Sequence, residues 1–227
     1  MRPNKTGVIS SLLYLAVGLT WLLVSGPPGS WWLLAWFVAL AVLGAFIPGE
    51  ANQVSLGRAY LAGPAASYSV GSGFGPLAVV VAVAALTDLV DGTVARRFER
   101  PSNLGGAIDP VVDGVFMGAV TVGLAVGGAI PVWLALVVIA RYLLPAMAGA
   151  VLLAFGRRLE LRHTVTGQIS TTLILVLIGG VCLFRALSQD PDGYLTAAEV
   201  VIPIATVATW VHLALTLRRP VRAAGPG

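Results

Sequence analysis

Four aspartates lie close together in an otherwise apolar part of the chain: Asp88, Asp91, Asp109 and Asp113. The first two are spaced i,i+3 and the last two i,i+4, so on helices the members of each pair would share one face. Ionised carboxylates beside long apolar runs are costly and usually functional. Four of them in one low-dielectric site need cations to stay charged. The sequence therefore predicts a metal site.

The ligand chemistry narrows the choice of metal. Carboxylate oxygens are hard ligands, which favours Mg²⁺, or Mn²⁺, over zinc. Cys182 is the only cysteine, and His163 and His212 are the only histidines, so zinc sites built on several Cys and His are excluded. Two cations held by four carboxylates would suit phosphoryl transfer, since they can bridge a diphosphate and stabilise both the attacking and the leaving oxygen.

The composition places these residues in a membrane. The chain has 227 residues, of which 57% are hydrophobic and 11% charged, and its mean hydropathy is +0.90. Soluble domains carry about 25% charged residues, so the sequence predicts an all-α integral membrane protein. The net charge of +4 does not indicate nucleic acid binding, because the basic residues lie mostly in short loops and at the termini.

Eight apolar segments have membrane-spanning length and predict eight helices. With the N-terminus in the cytoplasm, nearly all basic side chains fall on the cytoplasmic side, and Arg185 is the exception. We therefore expect a multi-pass protein of the cell membrane with both termini and the aspartate motif cytoplasmic. The predicted helices are 7–25, 31–48, 54–70, 74–97, 104–126, 129–156, 165–187 and 196–217.

The aspartate pairs belong to consecutive predicted helices. Asp88 and Asp91 lie near the end of the fourth helix, and Asp109 and Asp113 near the start of the fifth. The short connection between them predicts antiparallel neighbours. We therefore expect the two carboxylate pairs to face each other near the cytoplasmic surface.

The full spacing, D-x2-D-G-x2-A-R-x8-G-x3-D-x3-D, resembles the CDP-alcohol phosphotransferase family, with every fixed position present. The resemblance implies an enzyme of phospholipid synthesis. It would transfer a phosphatidyl-type group from a CDP-linked lipid donor, CDP-diacylglycerol, to an alcohol and release CMP. The resemblance also implies Asp88, Asp91 and Asp109 as metal ligands, with Asp113 as general base and ligand of the second of two metal ions.

The same resemblance assigns the remaining motif positions to the CDP moiety. Gly92 and Gly105 would let the backbone approach the nucleotide, since they have no side chain. Ala95 is small for the same reason. The guanidinium of Arg96 would contact the diphosphate, because its planar fork suits phosphate oxygens.

A second stretch carries the resemblance beyond the motif. Asn52-Gln-Val-Ser-Leu-Gly-Arg58, followed by Pro64, resembles the start of the first helix of the family. The resemblance then implies a six-helix catalytic membrane domain over 51–227, preceded by an extra transmembrane hairpin over 1–50 whose role the sequence leaves open. It also implies a homodimer.

The acceptor site is predicted from isolated arginines. Arg141 lies inside the sixth helix, where an arginine is costly unless it faces a polar cavity. With Arg58 and the basic loop residues Arg157 and Arg158, it could form a pocket for a phosphorylated acceptor. The hydroxyl-rich start of the seventh helix, residues 164–172, could join this pocket.

Within the family, the pattern is most similar to the phosphatidylglycerol phosphate synthase and cardiolipin synthase branch, which gives glycerol 3-phosphate as the best single acceptor. That branch often carries G-K-x-x-T and A-R-E. Here these positions hold Gly167-Gln168-Ile-Ser-Thr171 and Ala140-Arg141-Tyr142. Inositol phosphate, serine and phosphatidylglycerol therefore stay open as acceptors.

An alternative of a different class is a metal-ion transporter whose acidic cluster is a permeation site. That reading predicts carboxylates near the middle of the membrane or along a full path. The aspartates instead cluster toward one side, and a transporter leaves the glycine, alanine and arginine positions of the motif unexplained. The sequence therefore favours an enzyme.

Overall fold

The fold is all-helical over the residues that the structure, a computed structural model, describes: 3–25, 30–98, 105–154 and 165–217. These residues form eight helices and no strand, which confirms the predicted fold class. The helices are α1 (Lys5–Ser25), α2 (Ser30–Gly44), α3 (Glu50–Val70), α4 (Phe74–Phe98), α5 (Gly105–Val126), α6 (Val132–Ala154), α7 (Val165–Ala186) and α8 (Asp192–Leu217).

Three helix starts differ by three or four residues from the sequence prediction. Helix α3 begins at Glu50 rather than at 54, and turn chemistry explains the other two. The start of α6 was predicted at 129, but Gly128 has a φ of 70° and proline follows at 131, so the helix begins only at Val132. The start of α8 was predicted at 196, yet the carboxylate of Asp190 accepts a hydrogen bond of 3.0 Å from the backbone N–H of Asp192. That bond satisfies one of the free N–H groups at a helix start, and α8 begins four residues earlier than predicted.

The length and apolarity of the helices match a membrane environment. Among the described residues, three helices are long and apolar enough to cross a membrane: Lys5–Ser25, Ile169–Ala186 and Asp192–Leu215. Shorter apolar stretches lie in α2, α4, α5 and α6. Many large aliphatic side chains on the outer faces are exposed, which suits contact with lipid rather than water.

Helix α3 organises the N-terminal part of the bundle, since it packs against α1, α2, α4 and α5. The sequence predicted α4 and α5 as direct neighbours, whereas over the described residues each makes its most extensive contact with α3. Small residues permit this close packing: a Cβ on Gly123 of α5 would overlap the side chain of Ser69 on α3. On the other side, α5 packs on α6, α4 on α7, and α8 on both α6 and α7.

The N-terminal hairpin sits on the bundle through small residues and aromatic rings. A Cβ on Gly18 of α1 would lie 2.9 Å from the ring of Phe37 on α2, and one on Gly57 of α3 would lie 3.0 Å from the hydroxyl of Tyr14. The ring of Trp21 meets those of Phe37 and Tyr68 edge to face. Helix α1 is therefore packed against both α2 and α3.

Candidate active site

A buried ion pair joins α3 to α5 at the last aspartate of the motif. The Nη1 of Arg58 lies 2.8 Å from the Oδ1 of Asp113, and the two side chains are 6% and 22% exposed. The carboxylate of Asp113 balances the charge of this buried guanidinium. The ion pair thus fixes α3 to α5, the helix that carries positions 109 and 113 of the motif.

A small cavity adjoins this pair and brings four helices together. Its volume is about 30 Å³, enough for one or two water molecules. Besides Arg58 and Asp113, it is lined by Ala84 of α4, Phe116 and Met117 of α5, and Thr171 and Leu175 of α7. The carboxylate of Asp113 therefore lies where α3, α4, α5 and α7 converge.

Two other motif positions each lie one helical turn from a residue that lines this cavity. Position 88 is one helical turn beyond Ala84 on α4, and position 109 is one turn before Asp113 on α5. The side chains of the remaining predicted site residues of α4 and α5 lie outside the described residues. These are Asp88, Asp91, Gly92, Ala95, Arg96, Gly105 and Asp109.

The donor chemistry is compatible with a hard divalent cation. The four aspartates offer only carboxylate oxygens, the ligand type that Mg²⁺ and Mn²⁺ prefer. Of these four, only Asp113 has a described side chain, and no group of three or more His, Cys, Asp or Glu occurs among the described residues. The metal site is therefore inferred from the spacing of the four aspartates along the backbones of α4 and α5.

A second buried arginine, Arg141, ties α6 to α7 and α8. Its Nη1 donates to the hydroxyls of Ser170, at 2.5 Å, and Thr209, at 3.0 Å. Its Nη2 donates to the carbonyl oxygen of Gly167 and to the hydroxyl of Thr171, each at 3.0 Å. The four acceptors use all four terminal N–H bonds of the guanidinium. Its Nε is buried and has no partner among the described residues.

Thr171 connects the two arginines. It lines the cavity beside Arg58 and Asp113, and its hydroxyl accepts a hydrogen bond from Arg141. Thr171 thus links the surroundings of Arg58 to those of Arg141, although the remaining lining of the cavity is apolar. Arg157 and Arg158, predicted for the same pocket, lie outside the described residues.

The sequence analysis missed Thr209 as a partner of Arg141. Thr209 lies 68 residues further along the chain, on α8. Its hydroxyl donates to the carbonyl of Ala205, at 2.7 Å, which leaves a lone pair for the guanidinium. A hydroxyl in an apolar helix was the only available signal, and α8 carries several.

The fold and the site together define a helical membrane protein in which a buried arginine of α3 pairs with a motif carboxylate of α5. Comparison with known proteins then gives the family. The sequence model of the CDP-alcohol phosphatidyltransferase family matches residues 50–217. The chain therefore belongs to this family, whose members generally depend on divalent metals.

Relatives with assigned names cover only part of the chain. A Drosophila melanogaster protein named "Probable cardiolipin synthase (CMP-forming)" is 32% identical over 142 residues, 58% of this chain and 44% of its own length. The Streptomyces coelicolor "Cardiolipin synthase (CMP-forming)" is 38% identical over 63 residues, 28% of this chain and 29% of its own length.

A third relative is matched over a larger share of its length. The Bacillus subtilis "CDP-diacylglycerol--glycerol-3-phosphate 3-phosphatidyltransferase" is 26% identical over 140 residues, 62% of this chain and 67% of its own length. The chain thus spans less than half the length of the first two relatives. No solved structure matches it significantly.

Proposed function

We propose that this chain transfers a phosphatidyl group from CDP-diacylglycerol to an alcohol and releases CMP, as a step of phospholipid synthesis. The observation that carries the proposal is the complete motif from Asp88 to Asp113, which lies on α4 and α5 inside the family match. Membership of a transferase family also argues against the alternative of a metal-ion transporter.

Four aspartates would hold the divalent cations: Asp88, Asp91, Asp109 and Asp113. When bound, two Mg²⁺ or Mn²⁺ ions would neutralise the diphosphate of the donor and stabilise the leaving CMP. The small residues Gly92, Ala95 and Gly105 would leave room for the CDP moiety, and Arg96 would bind its diphosphate.

Asp113 would act as the general base. The acceptor hydroxyl would lose its proton to this carboxylate while its oxygen attacks the phosphatidyl phosphorus and the bond to the CMP oxygen breaks. Arg58 supports this role, because a guanidinium 2.8 Å from the carboxylate fixes its position beside the small cavity. Arg58 is thus a positioning residue for Asp113.

For the acceptor, we propose glycerol 3-phosphate. Thr171 lines the cavity at Asp113 and accepts a hydrogen bond from Arg141, so a small phosphorylated alcohol whose hydroxyl reaches Asp113 would lie near both buried arginines. Arg157 and Arg158, between α6 and α7 in the sequence, would add positive charge. The name of the Bacillus subtilis relative supports the same acceptor.

A second acceptor is favoured by the bonding of Arg141. Its four terminal N–H groups already donate to partners inside the protein, so fewer of them can bind a phosphate monoester. Phosphatidylglycerol presents a hydroxyl and no such monoester. The names of the Drosophila melanogaster and Streptomyces coelicolor relatives support this acceptor.

The oligomeric state, the membrane orientation and the division into domains are proposed as well. We propose a homodimer in the cell membrane, with both termini and the motif on the cytoplasmic side, as the distribution of basic residues favours. Residues 51–227 would form the catalytic domain, and 1–50 would form an added hairpin.

The test is CMP release by the purified full chain. It is supplied with CDP-diacylglycerol and Mg²⁺ and, in separate reactions, with glycerol 3-phosphate, phosphatidylglycerol, inositol phosphate or serine. We expect CMP with glycerol 3-phosphate and loss of that signal with EDTA. CMP only with phosphatidylglycerol would establish the second acceptor, and absence of CMP with every acceptor would contradict the proposal.

A further inference from the structure

An apolar chamber of about 360 Å³ lies between the N-terminal hairpin and the start of the motif. Helix α1 supplies one wall, with Leu13, Val17 and Trp21 among its residues. Helices α2, α3 and α4 supply the rest. The volume is in the range of ligand pockets and about tenfold that of the cavity beside Asp113.

Most polar side-chain groups of the lining have partners inside the protein, and the exception is the hydroxyl of Tyr60, which is buried without a hydrogen-bond partner among the described residues. The hydroxyl of Tyr14 donates to the carbonyl oxygen of Gln53 at 3.2 Å, and the indole N–H of Trp21 donates to the hydroxyl of Tyr68 at 2.8 Å. The hydroxyl of Thr87 donates to the carbonyl of Ala84 at 2.7 Å. The chamber therefore offers a hydrocarbon surface, which suits an apolar ligand and not a nucleotide or a sugar.

The chamber opens toward lipid. Leu13, Val17 and Val83 line it and are also well exposed on the outer surface of the protein. An opening rimmed by large aliphatic side chains on a membrane-spanning bundle faces hydrocarbon. A lipid chain can therefore enter it from the side without crossing water.

One end of the chamber reaches the motif. Val80, Val83 and Thr87 line it along a single face of α4, and Thr87 directly precedes Asp88. These three positions extend about 10 Å along the helix, at about 1.5 Å per residue. A lipid whose phosphates lie at the aspartates would have a hydrocarbon chain at the mouth of this chamber.

We propose that the chamber binds one acyl chain of the CDP-linked lipid donor, and that α1 acts as the wall that selects it. This inference rests on the proposed function. The donor is favoured over a lipid acceptor by position. The chamber is built from α1 to α4, whereas the polar cluster assigned to the acceptor lies on α6, α7 and α8. Helix α1 lies outside the family match at 50–217, so this wall is an addition to the matched core.

Adjacent leucines on α1 offer a matched test. Leu12 and Leu13 are both 61% exposed, but only Leu13 lines the chamber. Leu13→Trp would fill part of the chamber with an indole, while Leu12→Trp would add the same indole to the outer surface. The rate of CMP release is measured with a dioleoyl and with a dibutyryl CDP-linked donor, each as kcat/KM.

We expect Leu13→Trp to lower kcat/KM for the dioleoyl donor about tenfold and to change it little for the dibutyryl donor, whose chains reach less far. Leu12→Trp should leave both values unchanged. Equal losses with both donors, or equal effects of the two variants, would overturn the inference. CMP release by the wild-type protein tests the proposed function. The ratio of kcat/KM between the two donors tests the acyl-chain site separately.

A second pair of variants tests the opposite wall if Leu13→Trp does not fold. Val83 and Val79 of α4 are 41% and 63% exposed, and only Val83 lines the chamber. Val83→Trp should reproduce the selective loss with the dioleoyl donor, and Val79→Trp should not.

Direct binding gives a readout that does not depend on turnover. A CDP-linked lipid with a photoreactive acyl chain should label peptides of α1 in the wild-type protein, and Leu13→Trp should reduce that labelling. Unlabelled CDP-diacylglycerol should compete, and excess phosphatidylcholine should not. Competition by phosphatidylcholine would indicate an ordinary bilayer lipid, and labelling of α1 only across two copies of the chain would indicate a dimer contact; either result overturns the inference.

Discussion

Two buried arginines of this protein, Arg58 and Arg141, are almost equally withdrawn from solvent but are satisfied in different ways. Arg58 pairs with a carboxylate, that of Asp113, at 2.8 Å. Arg141 donates to three hydroxyls and a carbonyl, all neutral acceptors. Among the described residues, no carboxylate lies within ion-pair distance of Arg141.

The difference separates a charge that is balanced from one that is only hydrogen-bonded. The positive charge of Arg58 is neutralised by a motif residue, so its main effect is on the position of that carboxylate. The charge of Arg141 is solvated by dipoles, and its field extends toward the cavity past Thr171. The first arginine should therefore control catalysis through Asp113, and the second should control the affinity for an anionic acceptor.

The largest expected effect comes from the partner of Arg58. Asp113→Asn keeps the shape of the side chain and an oxygen for Arg58 but removes the base. We expect kcat to fall about 10² to 10⁴-fold, the usual range for a lost general base. The protein should still fold, with a lower thermal midpoint of unfolding, because the buried guanidinium of Arg58 loses its charge partner. The exposed Asp192, replaced by Asn, is the matched control. Retained activity in Asp113→Asn would remove this residue as the base.

Breaking the pair from the other side should affect stability as well as rate. Arg58→Met leaves the carboxylate of Asp113 without its guanidinium, and removing one partner of a buried pair costs about 3–5 kcal/mol. We expect a lower thermal midpoint in detergent together with a lower kcat. The double variant with Asp113→Asn should recover part of the stability, because no uncompensated charge then remains. Wild-type stability of Arg58→Met would contradict the balanced-charge interpretation.

The sequence predicts the helices of this protein better than their contacts. Apolar segments of membrane-spanning length are a local signal, so all eight helices and the fold class could be read from the chain. The pairing of Arg58 with Asp113 could not, because it depends on how α3 packs against α5. That packing is set by small residues such as Gly123 and Ser69, in a chain with 27 glycines.

The polar cluster around Arg141 illustrates the same limit. A mid-helix arginine indicates that partners must exist, since an unsatisfied guanidinium is too costly in a membrane. Ser170 and Thr171 could be anticipated from the hydroxyl-rich start of α7. Thr209 could not, because one hydroxyl in an apolar helix resembles another until the contact between α6 and α8 is known.

A smaller effect, and a different kinetic signature, is expected for Arg141. Arg141→Ala should raise the KM of the acceptor about tenfold and more than that of the donor, because the field near Thr171 is lost. Arg141→Lys keeps the charge but cannot reproduce the planar fork, so it should restore only part of the acceptor affinity. An equal rise of both KM values would show that Arg141 acts on packing alone.

The smallest expected effect isolates one hydrogen bond of that cluster. Thr209→Val preserves the side-chain shape and removes an acceptor of Arg141, which should lower the free energy of unfolding by about 1 kcal/mol. Thr206, one turn earlier on α8, is the matched control, since its buried hydroxyl has no partner among the described residues. Thr206→Val should therefore be neutral or stabilising. If Thr209→Val and Thr206→Val lower the thermal midpoint equally, the hydrogen bond to Thr209 does not stabilise Arg141. The interpretation that neutral acceptors stabilise the charge of Arg141 would then be wrong for Thr209.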